Sequence, residues 1–185
     1  MPQLATSLPS AGIIANLSDS ARNVLESYGS FSVAPAEAVL IKEGKPHGKL
    51  FCVISGSLEA RRREGEGHVL LGTIQPGEWL GEVDIFDPSS AMCSVVAKEP
   101  SQYWVITRER LEEFLNSNHE AGIILMIGLA STLGQRIRGI TKKMVEQAGL
   151  ARLAPQATQD DNINSGTIRS AAELAAAFLR QKDLR

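Results

Sequence analysis

Between residues 31 and 106 the chain is cut into short apolar runs by turn residues, and that rhythm limits its fold more than any other feature. The runs cover residues 38–41, 50–54, 69–74, 93–97 and 103–106. Between them stand Glu43-Gly44, His47-Gly48, Ser55-Gly56, Gly65-Glu66-Gly67, Pro76-Gly77 and Asp87-Pro88. Each run suits a strand and is too short for a helix. The gaps leave no room for the crossover helices of a parallel sheet, so a small barrel, roll or sandwich is expected. Glycine at the corners supplies the positive φ that tight turns require.

Helical patterns flank this zone. Ser18 is a plausible N-cap for a short helix with Ala21, Val24 and Leu25 on one face. Thr107 can cap a second, carrying Leu111, Phe114 and Leu115. After a polar break at residues 116–118 a longer helix is expected. Its Ile123, Met126, Ala130, Leu133, Ile137, Ile140 and Met144 follow a spacing of 3, 4, 3, 4, 3, 4. So narrow a seam suits pairing with another helix, and a homodimer through residues 123–144 is preferred over packing on the chain's own domain. Beyond Leu150 the sequence loosens into a linker, then Ser170 and Glu173 form a capping-box pair before a stripe of Ala171, Leu174, Ala175 and Phe178.

Composition removes several function classes. The 185 residues carry a formal net charge of -2, which gives no broad attraction to nucleic acid or anionic membrane. No signal peptide or membrane span is read, and the isolated Cys52 and Cys93 are expected as buried structural thiols in a reduced cytoplasm. His47, His68 and His119 lack metal-ligand spacing and read as surface residues, so a metal enzyme is not expected. The 35 residues after Leu150 hold five basic and four acidic side chains, too little for a folded DNA-reading domain.

The segment from Leu80 to Ala97, LGEVDIFDPSSAMCSVVA, resembles the phosphate-binding cassette of cyclic nucleotide-binding domains of the catabolite-activator type. The likeness covers about residues 31–144 and includes Glu43-Gly44, Val53-Ile54-Ser55-Gly56-Ser57-Leu58-Glu59, Gly77 and Leu80-Gly81-Glu82 in family order. It implies an α+β, mainly β fold: a double-stranded β-helix or jelly-roll β-roll with a short N-terminal helix and a long C-terminal helix. The implied organisation is a lead over 1–17, the binding-type domain with its dimerisation helix over 18–148, and a linker with a short helix over 149–185.

In that family the Glu accepts a hydrogen bond from the ribose 2'-hydroxyl, backbone N–H groups meet the cyclic phosphate, and an Arg grips it. Carried over by position, Gly81 and Glu82 match and Val83 starts the short turn. Ser89 and Ser90 precede the Arg position, which Ala91 occupies, and Met92 replaces a small residue. Losing a charge-assisted partner costs roughly 10- to 150-fold in affinity. Asp84 would repel a phosphate if it faced inward. No other Arg stands out as a substitute: Arg136 lies on the long helix, and Arg61, Arg62 and Arg63 read as a solvated hairpin face. Thr141 falls where some relatives reach adenine with a hydroxyl. Two roles stay open for Glu82, ribose acceptor or structural acceptor for backbone N–H groups.

The expected function is a non-enzymatic sensor or regulator, cytoplasmic and dimeric, without a bound cofactor and with cyclic AMP or cyclic GMP as a weakly held candidate ligand. A small molecule or a protein is its expected partner, DNA and membrane are not. The alternative is a ligand-free dimeric scaffold whose pocket is filled by Met92 and its neighbours.

Overall fold

The computed structural model describes residues 6–153, so the linker and tail helix expected around Ser170–Phe178 lie outside the described residues. The chain divides into two units, residues 1–142 and residues 143–185. After a 3-10 turn at Gly12–Ile14 comes α1 (Asp19–Tyr28), whose Ser18 cap accepts the Ala21 N–H at 3.2 Å. Leu25 is buried, whereas Val24 on the expected face is 38% exposed.

Eight strands follow: β1 (Ser30–Ala34), β2 (Val39–Ile41), β3 (Lys49–Ser55), β4 (Leu58–Glu64), β5 (Gly67–Ile74), β6 (Trp79–Leu80), β7 (Ser94–Ala97) and β8 (Ser101–Thr107). A one-turn helix, α2 (Glu82–Phe86), stands between β6 and β7. Then come α3 (Arg108–Ser117), with Thr107 accepting the Arg110 N–H, and α4 (His119–Leu153). The strands form two antiparallel four-stranded sheets, ordered β1-β8-β3-β6 and β2-β7-β4-β5. This is the jelly-roll β-roll with a short N-terminal and a long C-terminal helix.

The first sheet is covered on both faces, which explains why β3 is apolar without interruption from Leu50 to Ile54. Phe51 and Val53 point into the roll with Leu58, Ile74, Leu80, Val95 and Ala97. Their neighbours Leu50 and Cys52 join Trp104, Ile106 and Trp79 beneath the helices. There Leu25, Leu111, Phe114, Leu125 and Leu129 close a second core. Trp79 and Trp104 meet edge to face, ring centroids 5.8 Å apart, at the centre of this layer. At the β3–β4 corner, Gly56 has φ +77 and a Cβ there would lie 2.4 Å from Ser101 Oγ.

α4 therefore has two apolar faces. Leu125 and Leu129 are fully buried on the domain, while the heptad seam is largely bare: Ile123, Ile137, Ile140 and Met144 are all at least 60% exposed. Leu129→Ala should cost about 2–5 kcal/mol of stability by opening a cavity in the helix-side core. Urea denaturation at fixed protein concentration checks this; a loss below about 1 kcal/mol would mean that α4 is not packed on the sheet.

Candidate functional site

The cassette begins where β6 leaves the first sheet. Leu80 turns into the roll and Trp79 into the helix layer. Gly81 then caps α2 with φ +89, and a Cβ at that position would sit 2.3 Å from the Lys49 carbonyl oxygen. Only glycine lets the chain pass so close to the first residue of β3. In α2 the residues alternate in fate: Glu82, Asp84 and Ile85 are buried, Val83 and Phe86 are about two-fifths exposed.

The two buried carboxylates are held differently. Glu82, 2% exposed, accepts a hydrogen bond from Arg136 Nη1 of α4, and the same guanidinium donates through Nη2 to the Trp79 carbonyl. Glu82 thus serves as an ion-pair partner for a side chain 54 positions away. A buried carboxylate needs a cation or several donors, and that requirement is the signal by which Arg136 could have been found.

Asp84 does not face a phosphate. Its carboxylate accepts the backbone N–H groups of His47 at 3.1 Å, Gly48, and Ser89 at 3.2 Å. Burial pushes its pKa up, but the three N–H donors and then the nearby His47 outweigh it and hold the carboxyl below its ordinary value. Arg108 Nη2 also reaches the Asp84 carbonyl at 2.6 Å, so the start of α3 is tied to the cassette.

His47 corrects the surface expectation. Its side chain is only 12% exposed, with Nδ1 3.7 Å from the Asp84 carboxylate, and burial pushes its pKa down despite that carboxylate. Cys52 is buried as expected, its thiol pushed up to about 12. Cys93 is only half-buried; burial and then Glu43 raise it, while Arg62 and Arg136 oppose them.

Of the sequence-chosen residues, Gly81, Glu82 and Val83 form the head of the cassette. Ser89 and Ser90 lie exposed in the following loop. Ala91 packs against the roll interior and is stitched by its backbone to Gly44 and Lys45 at 2.8 and 3.1 Å. Met92 is 67% exposed and fills no pocket, because the loop turns it to solvent. The Thr141 hydroxyl donates to the Ile137 carbonyl of its own helix at 2.9 Å. Two grooves lie away from the cassette, about 470 Å³ beside Ile13 and Ile124 and about 320 Å³ beside Tyr28 and Lys49. Among the described residues no group of three His, Cys, Asp or Glu side chains is placed to hold a metal ion.

A two-sheet roll with a glycine-capped turn after β6 and a long helix reaching back to it defines a jelly-roll β-roll. Residues 32–118 match the family model of the cyclic nucleotide-binding domain. It is 22% identical over 148 residues to the "CRP-like cAMP-activated global transcriptional regulator" of Mycobacterium tuberculosis, covering 69% of this chain and 66% of that protein. The chain thus spans just under two thirds of that relative's length. Among solved structures, a cyclic nucleotide-binding domain from Methylobacillus flagellatus superposes with TM-score 0.67 at 22% identity, over 80% of this chain and 78% of that one. The catabolite activator protein of Thermus thermophilus gives 0.66 at 21%, over 75% and 63%. At these identities the structural likeness carries the fold.

Ionised Asp84 contributes stability that is complete above the unfolded carboxyl pKa of about 3.9 and lost as pH falls through its lower folded value. Denaturation midpoints should therefore fall below about pH 4 in the native protein. Asp84→Asn should be less stable at pH 7, with a shallower acid slope; superimposable slopes would remove Asp84 from that role.

Proposed function

We propose that the chain is a non-enzymatic, cytoplasmic regulatory protein that senses a nucleotide-type ligand through its roll and acts as a homodimer through α4. The observation that carries this reading is the Arg136–Glu82 pair, which joins the cassette directly to the helix that bears the open seam. Any ligand hydroxyl that reaches Glu82 must share or displace that guanidinium, so occupancy of the roll and the position of α4 are mechanically linked.

Two features support weak affinity for cyclic AMP. Ala91 offers no charge where a fork would grip the phosphate, and Ser89, whose N–H is one of the loop donors, already donates to Asp84. The dimer is supported by the bare 3/4 seam. By length and apolarity residues 119–146 could also cross a bilayer. Gln135, Arg136 and Arg138 interrupt that stretch and the apolar positions form a stripe, which favours a second copy of the helix.

One observation favours the scaffold alternative: Glu82 is satisfied without any ligand. Isothermal titration of cyclic AMP separates the two. Ala91→Arg should tighten binding by about 10- to 150-fold by restoring a charge-assisted fork. No heat and no thermal shift with millimolar cyclic AMP or cyclic GMP, in the native protein and in Ala91→Arg alike, would leave the scaffold. For the dimer, Ile137→Asp with Ile140→Asp should give a folded monomer by light scattering; an unchanged mass would discard the seam.

A further inference from the structure

The roll-facing side of β4 carries a cation that the cassette pattern does not account for. β4 runs unbroken from Leu58 to Glu64, and the bulged residue in its pairing is Leu71 on β5: Ala60 faces Gly72 and Arg61 faces Leu70. Its side chains therefore keep alternating. Leu58 and Ala60 pack in the roll interior, so Arg62 is the next position on that same face. Arg61 lies on the other side, forked onto Glu37 at 2.9 and 3.2 Å and bonded to Glu59. The run read as one solvated face is split by the pleat.

The pairing of β4 with β7, in which Ala60 faces Val95 and Arg61 faces Ser94, brings Arg62 to the Cys93 end of β7, and two further observations agree with that position. The half-buried Cys93 thiol lies within electrostatic reach of both Arg62 and Arg136, which come from the sheet and from α4. Ala91 stands two residues before that thiol and packs on the same interior cluster as Ala60. Among the described residues Arg62 forms no ion pair, whereas Arg61 and Arg136 both do.

We propose that Arg62 is the anion anchor of the roll, acting with Arg136 on the phosphate of a nucleotide-type ligand in place of the side chain that Ala91 lacks. The inference rests on the nucleotide reading above. Glu43 also faces the Cys93 thiol and Glu82 neutralises part of Arg136, so selection comes from guanidinium geometry rather than from bulk positive charge. A phosphate held from β4 and α4 together would fix the helix against the second sheet, a connection that an anchor in the cassette would not make.

The test is isothermal titration of cyclic AMP into the native protein, Arg62→Gln, Arg63→Gln and Ala91→Arg, with unliganded melting midpoints as fold controls. Arg62 and Arg63 are both exposed, so these midpoints should match the native one. Arg62→Gln should weaken binding by about 10- to 150-fold or abolish it. Arg63→Gln, on the outward face, should stay within about twofold of native. Equal affinity in native and Arg62→Gln protein would overturn the anchor and leave the nucleotide reading standing. Binding by Ala91→Arg alone would do the same. No binding by any of the four would remove both.

Discussion

The sheet β1-β8-β3-β6 must be covered on both faces, and most of the architecture follows from that demand. β3 and β8 alternate their side chains between the roll and the helix layer, yet both sets are apolar. One face is covered by the second sheet, which creates the roll. The other face exposes Leu50, Cys52, Trp104 and Ile106 and can be closed only by helices. α1, α3 and the first half of α4 supply that cover through Leu25, Phe114, Leu125 and Leu129. Apolar burial on both sides thus sets the start of α4 and brings Arg136, further along it, back to the cassette.

Within that frame α2 buries two carboxylates in a single turn, and the cost of burying charge decides what each does. Glu82 recruits a side chain from α4, a partner on a separate element that can move away. Asp84 recruits backbone N–H groups from two loops, which anchors the turn before β3 and the loop after α2 at one point. The cassette therefore has a fixed foot and a breakable contact. Arg108, bonded to the Asp84 carbonyl, extends the fixed side into α3. Moving α4 away from the cassette would therefore break the Arg136 contacts to Glu82 and to the Trp79 carbonyl while leaving the Asp84 anchor intact.

The strand rhythm, the Ser18 and Thr107 caps and the α4 seam were legible in the sequence because they are local patterns of period two or 3.6. β1 and β6 were not: β1 mixes serine with apolar residues and β6 is two residues long, so neither carries a readable alternation. The site was half legible. Gly81 and Glu82 are adjacent and stereotyped, but the partner of Glu82 lies on another element, and nothing local points to Arg136. Asp84 read as a threat to a phosphate because its backbone donors, at Gly48 and His47, become neighbours only through the fold. Met92 read as a filler from its size, whereas the direction of the loop, not volume, decides its exposure. The three arginines of β4 read as one face because a charge run hides the pleat that separates them.

The Arg136–Glu82 contact also sets what kind of ligand can work the proposed switch. Stripping the cation from a buried carboxylate costs about 3–5 kcal/mol, equivalent to two to nearly four decades of affinity. A ligand that displaces Arg136 and offers Glu82 only a neutral hydroxyl starts with that deficit. A ligand whose anion approaches the outer donors of the same guanidinium leaves Glu82 paired and avoids it. A ligand shifts an equilibrium only by its difference in affinity for the two positions of α4. An anion that joins the existing pair therefore stabilises the docked helix, while a hydroxyl that competes for Glu82 loosens it. In the proposed switch the sign of the response would thus depend on whether the phosphate or the ribose dominates binding, and with no cationic side chain at Ala91 the proposed anchor on β4 together with Arg136 on α4 would decide it.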